Sequence, residues 1–289
     1  MADSTQTQNS NINPSWDAKA TIFGLGIITE GIVDQGFDIN YDLTFNNYYG
    51  FQQNVVPTGP RKIRYFCYGI GGKKNVSNDL TEAYRVSGLD GNGYKFIPVR
   101  CVPYEDDLSA DEQALYAGRV VSTRTKDGIT QAYVFYYLKA LDRKADKVTF
   151  VRNDTQTKSM VPYTPTVDCM SPTPLVADNN NTITDPADSI STAAPYGLTV
   201  LGKDVLEVIN ILYDGNMRYA NISEFGLIAA DRQLVTGKDA QNKTIQYNEA
   251  IAAQQVTHST TAGTTITGPD HDIVKTVNLG LQNISVVLS

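Results

Sequence analysis

RKIRYFCYGIGG, residues 61–72, alternates like a strand and then ends in glycines. Ile63, Tyr65, Cys67 and Ile70 offer apolar contacts, while Gly69, Gly71 and Gly72 allow a tight turn or the close approach of another backbone. The same texture recurs along the chain. Residues 21–45 mix β-branched residues with glycines too frequent for a stable helix. Residues 92–103, 129–141 and 147–151 read as strands, and KDG at 126–128 joins residues 120–125 to 129–141 as a hairpin. ISEFGLIAADRQLV, residues 222–235, reads as a second hairpin turning near Ala230 and Asp231, and residues 272–289 as closing strands. The predicted fold class is mainly β with a few short helices (α+β): an antiparallel, β-sandwich-like core with long loops and an extended N-terminal arm.

Two helices are expected. SADEQALYAGRV, residues 109–120, carries a capping box of Ser109 and Glu112. DVLEVINILY, residues 204–213, has the second apolar pattern, though its β-branched residues also permit a strand. Residues 46–60 form a loop with aromatic content, and residues 243–253 are ambiguous. Residues 153–195 hold six of the twelve prolines, a break that reads as an extended excursion. The domain organisation is therefore a docking or flexible arm over 1–15, a β-rich core over 16–152, the Pro/Asn-rich excursion over 153–195, and the rest of the core over 196–289.

Composition narrows the function classes. The 289 residues are enough for one large domain or two smaller ones. A net charge of −7 argues against a nucleic-acid backbone as the main partner, because such binders need a basic surface. Arg61, Lys62, Arg64, Lys73 and Lys74 cluster locally, and a solvated strand edge and loop accounts for them. No stretch approaches the ~20 apolar residues of a membrane span, and the first residues lack the pattern of a signal peptide. Cys67, Cys101 and Cys169 lack metal-site spacing, and buried free thiols are the expectation for the first two, with a disulfide as the lesser alternative.

Catalytic motifs are missing: there is no nucleophile elbow, no paired-histidine zinc motif, no phosphate-binding loop and no EF-hand loop. His258 and His271 both lie in the Thr-rich stretch THSTTAGTTITGPDHD, where DHD reads as a solvated turn. Glu105, Asp106 and Asp107 precede a helix start, which favours carboxylates. No catalytic residue, metal or cofactor is expected.

IRYFCYGIGG at 63–72, LTEAYRV at 80–86 and ISEFGLIAADRQLV at 222–235 stand in an order that resembles an N-terminal attachment module of tail-fibre and tail-collar proteins of tailed bacteriophages. There, a strand ending in a glycine-rich turn is followed by a segment like L-x-E-x-Y-R and later by a strand like I-x-E-x-G-L. The resemblance implies a structural component of a bacteriophage virion, located in a tail, baseplate, collar or neck and made in the host cytoplasm. It implies assembly with other virion proteins and as a homo-oligomer within a symmetric particle, with a role in anchoring fibres left open. An insertion holding the helix, the long aromatic strand and the excursion would separate the second and third segments, and the three should lie close in space.

Interaction residues follow from these readings. Trp16 reads as an ordinary half-buried anchor or, alternatively, as a pin of the arm to a neighbouring surface, and Glu82 and Arg85 can form a clasp if their segment turns helically. Glu224 fits a hairpin charge beside Arg232. Tyr48, Tyr49 and Phe51 either pack their loop or form a binding face, which supports the alternative of a carbohydrate- or host-surface-binding β module. A hydrolase with dispersed carboxylates is the third reading.

Overall fold

The computed structural model describes residues 44–75, 83–85, 95–126, 128–142, 148–154, 159–166, 189–279 and 282–283. In chain order the elements are α1 (Phe45–Tyr49), β1 (Lys62–Gly69), β2 (Lys73–Asn75), β3 (Ala83–Arg85), β4 (Phe96–Ile97), β5 (Arg100–Pro103), α2 (Ala110–Gln113), β6 (Tyr116–Lys126) and β7 (Ile129–Ala140). There follow β8 (Thr149–Asp154), β9 (Ser159–Tyr163), β10 (Ser189–Val200), α3 (Gly202–Leu212), β11 (Asn221–Lys238), β12 (Thr244–Thr265), β13 (Ile273–Leu279) and β14 (Gln282–Asn283). The protein is mainly β, as its alternation predicts, with short helices.

The first sheet runs β12-β11-β1-β7-β5, with β4 beside β1 and β6 beside β7. The second runs β13-β10-β8-β9, with β14 beside β10, and β2 pairs with β3 alone. The pairings within these sheets are antiparallel. The main core lies between the first sheet, the second sheet and α3: Phe66, Tyr136 and Leu227 meet Tyr196, Leu198, Val205 and Ile209, all buried. Each such side chain contributes about 1.5–3 kcal/mol by leaving water. A second core covers the opposite face of the first sheet, where Phe45 and Phe51 close over Tyr65, Cys67, Leu138 and Ile228. That double cover explains why β1 is buried without interruption from Tyr65 to Gly69.

Polar side chains tie the layers. Asp204 on α3 accepts from Arg100 Nη1 at 2.8 Å and from the Tyr116 hydroxyl at 2.6 Å, joining the helix to β5 and β6. Asp272 accepts from the Gly202 N–H at 2.8 Å, so the GPDHD turn supplies the acceptor that Leu201 at the N-cap lacks. Lys139 of β7 reaches the Thr199 carbonyl of β10 at 3.0 Å. Asn46 donates to the Ala250 carbonyl and accepts from the Ala253 N–H, satisfying the backbone where the β12 ladder shifts register and Ala252 adopts φ +49°.

Several expectations are corrected. The helix at 109–120 stops at Gln113, although Ser109 and Glu112 do form the capping box. Tyr116 onward extends instead as β6, because β7 offers it a ladder from Lys139 to Ile129. ISEFGLIAADRQLV is not a hairpin but part of one continuous strand, β11. Ala230 and Asp231 mark a register shift in the β11–β12 ladder, and the chain reverses at Asp239–Lys243, where Asn242 adopts φ +61°. The ambiguous residues after Lys243 and most of the Thr-rich stretch are strand β12, leaving only GPDHD as a turn. The loop at 46–60 begins inside the one-turn helix α1, capped by Thr44. Within the excursion, Ser159–Tyr163 and the start of β10 pair into the second sheet. The helix at 204–213 and the KDG hairpin are present. The arm over 1–15 and the glycine-rich strands of 21–45 lie outside the described residues, apart from Thr44 and Phe45.

Asp231 yields a pH prediction. Burial pushes its carboxyl up, but bonds from Gln233 and from the Thr58 and Gly59 N–H groups outweigh it and hold the group below the ordinary aspartate value. Its stabilisation is therefore full above the unfolded value and is lost as pH falls through the folded one. Asp231→Asn should lower stability at pH 7, and urea unfolding should show the gap to the parent closing below about pH 4. A gap that stays constant down to about pH 2 would contradict this assignment.

Candidate functional site

The β1 strand ends where the glycines begin, and the partner strand β11 places Glu224 opposite Gly69. Glu224 is fully buried, with its Oε1 accepting from the Gly71 N–H at 2.9 Å and the Lys95 N–H at 2.7 Å. Its Oε2 lies 3.1 Å from His258 Nε2 on β12, forming a buried ion pair when the imidazole is charged. Ser223 Oγ accepts from the Gly72 N–H at 3.0 Å. One carboxylate thus clasps a turn, the chain entering β4, and the neighbouring strand.

The glycines are what allow this geometry. A Cβ on Gly69 would stand 2.3 Å from the Lys95 carbonyl oxygen, and one on Gly72 only 2.0 Å from the Ser223 oxygen. Both are backbone obstacles that cannot rotate away. Behind the clasp, Gly226 lies against Cys67, whose Sγ approaches the Gly226 carbonyl at 3.8 Å. Burial, and next the nearby Glu224 carboxylate, push the Cys67 thiol well up, so it is held as the inert protonated form. Cys101 is likewise a free, buried thiol, pushed up to about 12 by burial. Cys169 lies outside the described residues.

The other buried carboxylates also serve the fold. Glu249 accepts from the Gly118, Arg119 and Ala250 N–H groups at 2.5, 2.9 and 2.7 Å, and burial pushes its carboxyl up against those bonds. Asp107 binds Arg119 at 2.7 Å and the Tyr136 hydroxyl at 2.5 Å, while its neighbours Glu105 and Asp106 are exposed. Among the described residues no group of three or more His, Cys, Asp and Glu could hold a metal ion. No described helix is long and apolar enough to cross a membrane.

The residues singled out from sequence fare differently. Trp16 and Glu82 lie outside the described residues. Arg85 sits in strand β3, so the helical turn that would bring Glu82 beside it is replaced by an extended ladder with β2. Phe51 is buried in the second core and Tyr49 stacks on Tyr137 at 4.1 Å, which leaves Tyr48, 81% exposed, as the open ring of that trio. Tyr48→Ala should change folding stability by less than about 0.5 kcal/mol in thermal unfolding, since the ring covers little. A loss above about 1.5 kcal/mol would show that it packs structurally. Glu224 is present, but as a buried clasp and not a surface charge. His258 is its unforeseen partner, hidden because a Thr-rich stretch reads as loop until β-branched threonines are weighed as strand formers.

IRYFCYGIGG and ISEFGL are thus neighbours across a ladder, and β2 and β3, which continue from the turn through AYR, lie against β12. These features define the class: an antiparallel, two-sheet β protein with a carboxylate-clasped glycine turn. The chain belongs to a family of unknown function, DUF7208, whose model matches residues 6–287. No curated protein and no solved structure matches the chain.

Proposed function

We propose that the protein is a structural component of a bacteriophage virion, a tail, baseplate, collar or neck subunit that works by protein–protein contact and carries out no catalysis. The observation that supports this reading is the meeting of the first and third resembling segments. Gly71 and Glu224, 153 residues apart, are bonded directly, and the strand carrying AYR pairs with β2 and lies against β12. The use of Glu224, Glu249, Asp204 and Asp107 as internal ties agrees with a chain whose polar chemistry maintains shape. The expected partners are other virion proteins and further copies of the same chain, with the virion as its location.

Deleting the gene from its phage tests this reading. The expected result is incomplete particles, arrested at one tail, baseplate or neck stage in negative-stain images and restored by the gene in trans. Complete particles that fail only to adsorb would favour the carbohydrate- or host-surface-binding alternative, which now rests mainly on Tyr48. Complete and fully infectious particles would defeat both.

A further inference from the structure

The loop after α1 is fastened to the fold at several points and still leaves a hollow beside them. Phe51 is buried in the second core, and Val55 packs on the small apolar cluster of Val235, Tyr247, Ile251 and Ala252. Gln52 Nε2 donates to the Tyr247 hydroxyl at 3.1 Å, and Gln233 Nε2 to the Val56 carbonyl at 3.0 Å. Between these anchors Gln53 and Asn54 are exposed. The loop, the start of α1 and Ala252 of β12 surround a cleft of about 150 Å³.

The backbone around this cleft is held in an uncommon conformation. Four non-glycine residues among those described have a left-handed φ, and two of them line the cleft: Gln52 at +44° and Ala252 at +49°. Such backbone is costly, persists only where its surroundings fix it, and concentrates at binding and catalytic sites. Here Asn46 does the fixing, by bonding the Ala250 carbonyl and the Ala253 N–H on either side of Ala252. The side chain of Ala252 is only a methyl group, so the shifted strand brings little bulk to the cleft.

The lining has one kind of chemistry. Its polar groups are the hydroxyl of Thr44 and the carboxamides of Asn46, Gln52, Gln53 and Asn54, and Val55 and Val56 add aliphatic surface. Among the described residues no charged side chain lines it. A carboxamide both donates and accepts, as a sugar hydroxyl does, and aliphatic groups suit the C–H face of a sugar ring. Phosphates, carboxylates and amines call for a charged partner that this lining lacks. The volume is about that of a cavity that holds one six-membered ring. An extended peptide needs a sheet edge or a longer groove. We propose that this cleft binds one neutral pyranose ring of a saccharide, with Gln53 and Asn54 bonding its hydroxyls in a loop already held in place. The site is independent of the virion reading, and it is distinct from the exposed ring of Tyr48, which is not among the residues lining it.

Saturation-transfer difference NMR on the full chain tests it, with glucose, galactose, mannose, N-acetylglucosamine and N-acetylgalactosamine as probes. At least one sugar should receive saturation, with a Kd in the millimolar range because a single ring makes few contacts. Gln53→Ala with Asn54→Ala should weaken that binding by roughly tenfold or more. The double variant should keep the parent thermal unfolding, since both side chains are exposed. No saturation of any of these sugars at up to about 50 mM would overturn the proposal, as would equal binding by the parent and the double variant. Binding that is lost in Tyr48→Ala but kept in the double variant would place the sugar on the exposed ring and overturn the cleft. Each of these outcomes leaves the virion reading where it stands, to be decided by the particle itself.

Discussion

Glu224→Ala should lower folding stability by roughly 2–4 kcal/mol, the scale for removing the shared acceptor of two backbone donors and a buried imidazole. The change strands the N–H groups of Gly71 and Lys95, each bonded to Oε1, and leaves His258 without its carboxylate. A donor orphaned in full burial costs about 1–3 kcal/mol, and because these two bonds are only partly buried, water entering the space left by the side chain recovers part of it. Urea unfolding should show a lower midpoint with an unchanged slope, as expected for a native-state loss. Glu224→Gln, which keeps one oxygen acceptor, should lose less. A loss below about 1 kcal/mol for the alanine variant would mean that the turn holds itself and the clasp is incidental.

Gly72→Ala should cost a similar amount, roughly 2–4 kcal/mol, for a steric reason. The added Cβ would meet the Ser223 carbonyl oxygen at 2.0 Å and its carbon at 2.7 Å, so β11 or the turn must shift. Either shift lengthens the bonds from Gly71 to Glu224 and from Gly72 to Ser223. The cost should therefore be non-additive with Glu224→Ala, because both changes break one arrangement. Gly268→Ala is the matched control: a methyl group there would meet nothing within 4 Å, so its effect should stay within about 0.5 kcal/mol. Equal thermal unfolding for the two glycine variants would contradict the close approach at Gly72.

Much of the fold is legible in the sequence because alternation and turn chemistry are local. The KDG hairpin, the β1 strand, the α3 helix and the Ser109–Glu112 capping box depend on neighbours within a few residues. Sequence reading fails where a distant partner decides the outcome. Residues from Tyr116 have helical spacing with α2 but extend because β7 lies alongside. Ala230 and Asp231 look like a turn, yet β12 runs beside them and turns the irregularity into a register shift. The candidate site is half legible. The glycines of 69–72 announce a close approach, but the approaching groups, Ser223, Glu224 and His258, come from two strands far along the chain. Glu224 reads as a charge at a hairpin surface, whereas its role comes from complete burial.

Phe51 and Tyr49 show the same limit from the other side. An aromatic run beside polar stretches looks like a binding face, but the second core needs a lid over Tyr65, Cys67 and Leu138. Phe51 fills that need and Tyr49 stacks on Tyr137, so packing claims two rings of three. Only the burial pattern of β1, apolar on both faces, shows that the strand must be covered twice.

A cryo-electron microscopy reconstruction of the particle proposed to contain this chain tests the proposed virion assignment most directly. The expected result is density for the two-sheet fold in repeated, symmetry-related copies in the tail, baseplate, collar or neck, with the Glu224-clasped turn intact in each. A complete particle map in which every tail and neck density is assigned to other chains would contradict it.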